Sequence, residues 1–496
     1  MKPIRPFGPR LALAAAAAAV IAVTSGGVFA ATAQASPAAP ATAQASPAAP
    51  GSPGSPGSPG SPAAPAAPVS QARPHAPRPH APRPGGDEAS YHKVGYFLQW
   101  SIYGLNFHVK DLVTSGVAAK LSQIDYAFAN VSPQGQCYET TAAGQGDPWA
   151  DYQATFPASE TVNGVADTST QPLAGNFNQL RELKAVYPHL KVVMTIGGWT
   201  WSRYLSDAAL TPASRKAFVS SCIDTFIKGN LPVQADAAQG GPGSAAGIFD
   251  GFDLDWEWPG SPANTGTAYR PQDKQDYVAL LAEFRHQLDR LGRQTHRHYI
   301  LSAFVPANPT TIQAGFDVPR VFRYLDFADV QGYDFHVATE PLTNYQSNLY
   351  SDPADPTGGQ FSVNEAIQQY LRRGAPARKL VVGVPAYGRG WTGVAAGPTG
   401  NGVYQAATGQ AEGTFGLGVT NYNALEAAPG LRFYDARLGT TWLYDGTNWW
   451  SYDTPQLLAQ KTAYIRRLGL GGTAMWSLDG DDAQGSLTSA INSGLR

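Results

Sequence analysis

Three carboxyl side chains recur at every second position in one short stretch of this chain, Asp253, Asp255 and Glu257. The stretch reads DGFDLDWEWP from Asp250 onward, and the residues between the three acids are bulky and apolar. Because alternate side chains of a β-strand share one face, the three acids lie together and the apolar residues lie on the opposite face. Asp250 also lies on that opposite face, and we expect it to be structural. Asp is disfavoured in strands, and clustered carboxyls raise one another's pKa. The pattern therefore predicts acid–base chemistry.

Metal binding and the hydrolysis of glycosidic bonds both use such a row of carboxyl groups. A metal site needs further ligands, but no histidine or second carboxyl cluster accompanies the row. The calcium-loop pattern also fails, because Trp258 stands where that pattern has glycine. Glycoside hydrolysis needs a proton donor of raised pKa beside a second carboxyl group. Glu257 has the longest side chain and ends the row, so we predict that it is the acid, and we expect no metal and no cofactor.

The row of acids must be positioned by the surrounding fold. Apolar runs that alternate with helical patterns along the chain predict a parallel β/α architecture. Eight strands are predicted, near Lys93–Gln99, Ser122–Asn130, Lys191–Gly197, Gly247–Glu257, Tyr299–Pro306, Phe327–Asp334, Lys379–Ala386 and Gly472–Ser477. Helices predicted between them include Phe177–Val186, Asp273–Leu291 and Thr454–Leu468. Eight such units match an α/β fold of the TIM (β/α)8 type, which carries catalytic residues on its C-terminal face. An open doubly wound sheet is the alternative, but no G-x-G-x-x-G follows the first strand.

Composition divides the chain into further parts. Residues 1–35 have a basic start and an alanine-rich apolar run, typical of a signal peptide and short for a membrane anchor. Residues 36–88 are rich in Pro, Ala and Gly, which predicts a disordered linker. The catalytic barrel is predicted over 89–496. An α+β insertion is predicted at 388–450, between strands seven and eight on the C-terminal face, because so long a loop is rarely without structure.

Charge and cysteine content bound the partners and the compartment. Residues 89–496 contain 29 basic and 35 acidic side chains, and this acidic body disfavours nucleic acid as a partner. We expect a secreted, extracellular monomer with no membrane contact after signal cleavage. Cys137 and Cys222 either pair in an oxidising compartment or leave Cys222 as a buried free thiol in a helix, and the sequence leaves both alternatives open.

Five motifs in order along about 90–490 resemble the family 18 glycoside hydrolases, chiefly bacterial chitinases. The stretch Asp250–Glu257 matches the D-G-x-D-x-D-x-E signature of that family completely. The other four motifs are YFLQW, TIGGW, QGYD and YGR, which begin at Tyr96, Thr195, Gln331 and Tyr387. In TIGGW a threonine replaces the family's serine and keeps the hydroxyl group.

The resemblance implies a mechanism in which the substrate supplies the nucleophile. Glu257 would protonate the glycosidic oxygen and later activate water. The 2-acetamido oxygen of the sugar would attack the anomeric carbon, which gives an oxazolinium intermediate and retention. Asp255 and Tyr333 would orient the acetamido group, and Asp253 would share a proton with Asp255.

The positions of further residues in these motifs imply substrate binding. These residues are Tyr96, Trp100, Thr195, Trp199, Gln331, Asp334, Tyr387, Arg389 and Trp476. Trp476 would form the floor of the subsite at the cleaved bond. The resemblance also implies that Tyr96 and Thr195 hold Asp253.

The function that the resemblance implies is cleavage of β-1,4 bonds between N-acetylglucosamine units in chitin and chito-oligosaccharides. One alternative is an endo-β-N-acetylglucosaminidase on glycoprotein glycans, but such enzymes generally lack the insertion. Another is a catalytically inactive chitin-binding lectin on the same barrel, which usually lacks the acid that Glu257 provides. A third is a stalked adhesin with residues 36–88 as its spacer. Trp391 and Trp442 of the predicted insertion either line a cleft or pack within the insertion.

Overall fold

The computed structural model describes residues 90–496, apart from positions 236 and 360. The predicted signal peptide (1–35) and linker (36–88) lie outside the described residues. In the part of the chain that is described, every helix is too short or too polar to cross a membrane.

Eight parallel strands form a closed barrel. The strands of the described chain are β1 (His92–Leu98), β2 (Gln123–Val131), β3 (Cys137–Tyr138), β4 (Lys191–Gly197), β5 (Gly251–Asp255), β6 (Ile300–Val305), β7 (Phe327–Val330), β8 (Leu380–Pro385), β9 (Tyr387–Thr392), β10 (Gly409–Gln410), β11 (Val419–Asn421), β12 (Leu431–Asp435), β13 (Thr440–Tyr444), β14 (Trp449–Tyr452) and β15 (Gly472–Trp476). The barrel order is β1-β15-β8-β7-β6-β5-β4-β2, and β2 pairs with β1 to close the ring. This confirms the predicted TIM barrel.

Twelve α-helices occur among the described residues, and most of them connect successive barrel strands. They are α1 (Val109–Thr114), α2 (Gly175–Val186), α3 (Gly198–Trp201), α4 (Leu205–Ala209), α5 (Pro212–Cys222), α6 (Asp273–Thr295), α7 (Pro309–Gly315), α8 (Val318–Val321), α9 (Val363–Arg372), α10 (Tyr422–Ala427), α11 (Pro455–Leu468) and α12 (Ser486–Gly494). The start of α11 shows why the sequence predicts it well. Thr454 caps the helix by accepting a hydrogen bond from the backbone of Leu457, Pro455 occupies the first position, and Gly469 follows in the left-handed conformation.

The two faces of β5 separate as the alternation predicts. Phe252 packs against Phe284 of α6 with 5.6 Å between ring centres, and Trp256 is buried on the same side. Asp250 also lies outside the barrel, where Lys184 Nζ donates to its carboxylate at 2.6 Å. The outer face therefore joins sheet to helices and leaves the inner face to the acids.

Two barrel strands are shorter by more than two residues than the sequence predicts. The strand predicted at Gly247–Glu257 begins at Gly251 and ends at Asp255, and Glu257 lies just beyond it. The strand predicted to reach Asp334 ends at Val330, and Asp334 itself has a φ of +57°. That left-handed conformation is incompatible with a strand but accessible to Asp. Both shortened ends place polar side chains at the barrel mouth.

A second, antiparallel sheet lies between β8 and β15 in the chain. Its order is β10-β9-β14-β13-β12, β11 pairs with β9, and α10 accompanies it. Trp391 and Trp442 are buried here beside Trp449. The indole N–H groups of Trp442 and Trp449 both donate to the backbone oxygen of Asn401 at 3.1 Å. The Trp391 ring contacts the Trp449 ring with 5.6 Å between ring centres. Trp391 and Trp442 therefore pack within the insertion.

The two cysteines form a disulfide. It joins Cys137 in β3 to Cys222 at the end of α5, with 4.9 Å between their Cα atoms. The alternative of a free thiol at Cys222 is wrong. The helix and the disulfide are compatible because Cys222 occupies the last helical turn and faces β3.

Candidate functional site

Asp253 and Asp255 of β5 and Glu257, two residues beyond its end, are buried and are 0%, 4% and 6% exposed. Burial, together with the charge of Asp334, raises the pKa of Glu257 to about 8. Burial and the neighbouring charges of Glu257 and Asp253 raise the pKa of Asp255 well above its ordinary value. Burial also raises the pKa of Asp253, to about 6. At neutral pH, Glu257 therefore carries the proton that a general acid needs.

Asp253 is held by one predicted and one unpredicted residue. The Tyr96 hydroxyl donates to Asp253 Oδ2 at 3.2 Å, as predicted. The Ser302 hydroxyl donates to Oδ1 at 2.7 Å. The expectation for Thr195 is wrong, because its buried hydroxyl has no hydrogen-bond partner among the described residues. Both Thr195 and Ser302 lie in register with Asp253 on neighbouring strands, and only Ser302 reaches the carboxylate.

The glycines of the TIGGW motif allow close approach at the end of β4. Gly197 has a φ of +106°, and a Cβ atom there would lie 2.4 Å from the backbone oxygen of Asp255. At Gly198, with φ +71°, a Cβ atom would lie 2.7 Å from the Phe128 ring. Side chains at either position would displace β5 or the Phe128 ring, so the motif needs glycine at both.

Two polar residues that sequence analysis missed fix the backbone at Glu257. The Glu257 N–H donates to Ser202 Oγ at 2.9 Å, and that oxygen lies 3.0 Å from the Asp255 carbonyl oxygen. The Asn264 amide donates to the carbonyl oxygens of Glu257 at 3.0 Å and Trp199 at 2.7 Å. No local pattern marks Ser202, which begins a short 3-10 helix, or Asn264, which lies in a loop, and both are outside the motifs.

A buried ion pair joins the insertion to the end of β7. Arg389 Nε donates to Asp334 Oδ1 at 2.7 Å, and a terminal guanidinium nitrogen donates to Oδ2 at 2.8 Å. The Tyr387 hydroxyl donates to Asp334 Oδ1 at 2.8 Å. The Tyr333 ring meets the Tyr387 ring edge-on, with 6.0 Å between centres. Four residues predicted from two separate motifs thus form one cluster beside Glu257.

Aromatic rings form a row across the barrel mouth. The Phe128 ring lies between Trp100, 6.2 Å away, and Trp476, 5.6 Å away, at small interplanar angles. Tyr96 adjoins Trp476 at 5.2 Å. Trp100, Phe128 and Trp476 are half-buried, so the row presents flat apolar surface at the barrel mouth. Sequence analysis missed Phe128, because it lies among other apolar residues of β2 and nothing distinguishes it from a core residue.

Two other predicted binding residues have different surroundings. Trp199 is half-buried, but its ring is not part of this row. The Gln331 side-chain oxygen is buried and accepts a hydrogen bond from the backbone of Ala307 at 3.4 Å. Gln331 thus links the ends of β6 and β7 near Tyr333.

The sequence model described as glycosyl hydrolases family 18 matches residues 92–481. The chain belongs to glycosyl hydrolase family 18. It is 38% identical to chitinase 63 of Streptomyces plicatus over 82% of this chain and 60% of that protein. It is 35% identical to chitinase A1 of Niallia circulans over 79% of this chain and 57% of that protein. The chain therefore spans about 60% of the length of these curated relatives.

A solved structure resembles most of this family 18 hydrolase. The catalytic domain of psychrophilic chitinase B from Arthrobacter TAD20 is 46% identical, with a TM-score of 0.79. The match covers 82% of this chain and 95% of that domain. The resemblance therefore extends over the barrel and the insertion together.

The ion pair at the mouth of this family 18 hydrolase supports a prediction about stability. Arg389→Met should lower the free energy of unfolding by about 3–5 kcal/mol, because it leaves the buried Asp334 carboxylate without its cation. Urea unfolding measures the loss. Arg437→Met is the matched control, since Arg437 is 71% exposed and pairs with Asp435 at 3.5 Å. The control should lose less than about 1 kcal/mol. Equal losses in both variants would contradict the prediction.

Proposed function

We propose that this family 18 hydrolase is a secreted chitinase that cleaves β-1,4 bonds between N-acetylglucosamine units by a retaining, substrate-assisted mechanism. The observation that carries the proposal is the row of buried acids that ends in Glu257 at the barrel mouth. Glu257 is protonated at neutral pH, and the aromatic row Trp100–Phe128–Trp476 lies at the same mouth. A proton donor beside flat apolar surface suits a neutral, ring-built polymer.

In the first step Glu257 gives its proton to the glycosidic oxygen, and the bond from that oxygen to the anomeric carbon breaks. The acetamido oxygen of the same sugar forms a bond to the anomeric carbon, which leaves the positive charge on an oxazolinium ring. Asp255 accepts a hydrogen bond from the acetamido N–H, and the Tyr333 hydroxyl donates a hydrogen bond to the acetamido oxygen. Asp255 Oδ1 supports this role, because it is buried without a hydrogen-bond partner among the described residues.

In the second step the Glu257 carboxylate takes a proton from water, whose oxygen attacks the anomeric carbon. The bond to the acetamido oxygen breaks, and the product keeps the original anomeric configuration. Asp253 ionises before its neighbours, since its pKa is about 6 and hydrogen bonds from Ser302 and Tyr96 favour its charged form. The negative charge of Asp253 stabilises the proton on Asp255 while Glu257 loses and regains its proton.

Chitin is favoured over glycoprotein glycans as the substrate by the extent of aromatic surface. Three neighbouring half-buried rings, Trp100, Phe128 and Trp476, offer stacking positions for sugar rings. The Cys137–Cys222 disulfide supports secretion, because disulfides persist in oxidising compartments. A catalytically inactive lectin would not need Glu257 to be held protonated beside Asp255.

Incubation with chitohexaose tests the proposed function. We expect shorter N-acetylglucosamine oligomers whose new reducing ends are β-anomers before mutarotation, because two displacements at the anomeric carbon retain configuration. Chromatography that resolves anomers makes the measurement. Cleavage of a glycoprotein glycan core with chitohexaose left intact would favour the endo-β-N-acetylglucosaminidase alternative.

A further inference from the structure

Two carboxyl groups that the proposed mechanism does not use lie inside the barrel. Asp125 on β2 and Asp329 on β7 are both 1% exposed. With Asp253 they come from the second, fourth and sixth strands around the ring. In a TIM barrel, alternate strands supply the side chains of one interior layer, and Val, Ile and Leu ordinarily fill it. Three carboxyl groups in such positions need a physical explanation.

Cations from the barrel strands do not compensate these three carboxyls. The eight strands contain three basic residues, His92, Lys93 and Lys191. Lys93 Nζ donates to the Asn492 side chain at 2.7 Å, and Lys191 is exposed. Burial lowers the pKa of His92, which favours its neutral form. A buried carboxylate without a cation is costly, and such a group takes up a proton instead.

The Tyr96 hydroxyl lies between two of the acids. Its oxygen is 3.2 Å from Asp253 Oδ2 and 3.5 Å from Asp329 Oδ2. A hydroxyl group carries a single hydrogen, so it donates to one carboxyl at a time. If both were ionised, one would face the lone pairs of the tyrosine oxygen. If Asp329 is protonated, Asp329 donates to Tyr96 and Tyr96 donates to Asp253.

We propose that Asp125 and Asp329 keep their protons at neutral pH, and that Asp329 is a positioning residue whose acid O–H commits the Tyr96 hydroxyl to Asp253. Asp253 is thereby the layer's one ionised member, held directly beneath Asp255. The link from this layer to catalysis rests on the proposed function. The protonation itself does not, because it follows from burial and hydrogen-bond geometry.

The other groups that face Asp329 agree with a neutral side chain. Burial and the charge of Asp253 raise the pKa of Asp329 well above its ordinary value. Burial and the charges of Asp253 and Asp329 also raise the pKa of Asp125 well above its ordinary value. The hydrogen bond that the Gln123 amide donates to Asp125 at 2.5 Å only partly offsets this rise. The charge of an ionised Asp255 on β5 would add to the repulsion.

The remaining strands add hydroxyl groups but no inward charge. β6, β8 and β15 contain no titratable side chain, and the titratable residue of β4 is the exposed Lys191. Thr195 on β4 and Ser302 on β6 are the buried hydroxyl groups nearest Asp253 along the ladders. Asp329 Oδ1 is itself buried without a hydrogen-bond partner among the described residues. That oxygen would be strongly destabilised as part of a carboxylate.

Infrared spectroscopy of the full ligand-free chain at neutral pH tests the protonation directly. The spectrum of Asp329→Asn should lack a carbonyl stretching band of a protonated carboxylic acid that the wild type shows. Asp125→Asn should lose a band of the same kind, so the test does not depend on the folding of one variant. Loss of carboxylate bands in Asp329→Asn would overturn the proposal.

Asp445→Asn is the matched control for the spectra. Burial raises the pKa of Asp445, but hydrogen bonds from Asn448 and Thr447 outweigh it and hold that pKa below its ordinary value. This variant should lose carboxylate bands and leave the protonated-acid bands unchanged. The spectra require no substrate, so they decide the proton assignment even if chitohexaose is not cleaved.

The pH profile of kcat/KM on chitohexaose tests the positioning role. Asp329→Asn keeps an N–H donor toward Tyr96, whereas Asp329→Leu has similar volume and no donor. The acid limb, which reports ionisation of Asp253, should move to higher pH by about 0.3 unit in the Leu variant, because the Tyr96–Asp253 hydrogen bond loses the polarisation that a donor to the Tyr96 oxygen supplies. The Asn variant should restore the limb. Identical limbs in the Leu variant and the wild type would show that Asp329 only fills space.

Discussion

Replacing Glu257 with glutamine should lower kcat on chitohexaose by roughly 10²- to 10⁴-fold, the contribution of a positioned general acid. Glutamine keeps the shape of the side chain but has no proton to give to the leaving oxygen and cannot activate water afterwards. The backbone contacts of Glu257 with Ser202 and Asn264 do not involve the carboxyl group, so the fold should be retained. Initial rates and the melting temperature measure both expectations.

Binding separates this loss from a loss of substrate affinity. Chitohexaose should bind the Glu257→Gln variant with a Kd close to the wild-type KM, because the aromatic row is intact. Glu182→Gln is the matched control, since Glu182 lies on α2 and accepts hydrogen bonds from Asn163 and Asn178. That variant should keep the wild-type rate. Substantial residual turnover in Glu257→Gln would mean that another group is the acid.

Polymers without an acetamido group at the cleaved sugar should be almost inert. Fully deacetylated chitosan and cellulose share the β-1,4 geometry of chitin and can stack on Trp476, but they lack the attacking oxygen. An oriented intramolecular nucleophile contributes roughly 7–11 kcal/mol, so the expected rate loss is on the order of 10⁵-fold or more. Release of reducing ends under identical conditions gives the comparison, with a chitin oligomer of equal length as the control.

Partly acetylated chitosan gives the sharper version of this test. Cleavage should occur only where N-acetylglucosamine occupies the subsite on the non-reducing side of the bond, because that sugar supplies the nucleophile. Sequencing the new reducing ends identifies the sugar in that subsite. If glucosamine appeared there as often as N-acetylglucosamine, the substrate-assisted mechanism would be refuted, together with the roles of Asp255 and Tyr333. A thiazoline mimic of the oxazolinium ring should inhibit competitively.

The sequence by itself determined the features that depend on local periodicity. Alternation along the segment that contains β5 placed Asp253, Asp255 and Glu257 together, and in the structure the charges of Asp253 and Glu257 both raise the pKa of Asp255. Alternating strand and helix patterns determined the closed barrel, and Thr454 and Gly469 marked the two ends of α11. These features follow from side-chain periods of two and 3.6 and from capping chemistry, which neighbouring residues specify.

Only the tertiary structure decided which distant residues complete the site. Ser302 holds Asp253 where Thr195 was expected, although both lie in register with it. Phe128 completes the aromatic row, and Asp329 meets Tyr96 across 233 positions of sequence. Each depends on side chains from different strands that point into one barrel, where reach and burial select among several residues of suitable chemistry. Periodicity shows which face a residue occupies, but contact across the barrel depends on the closure of the whole ring.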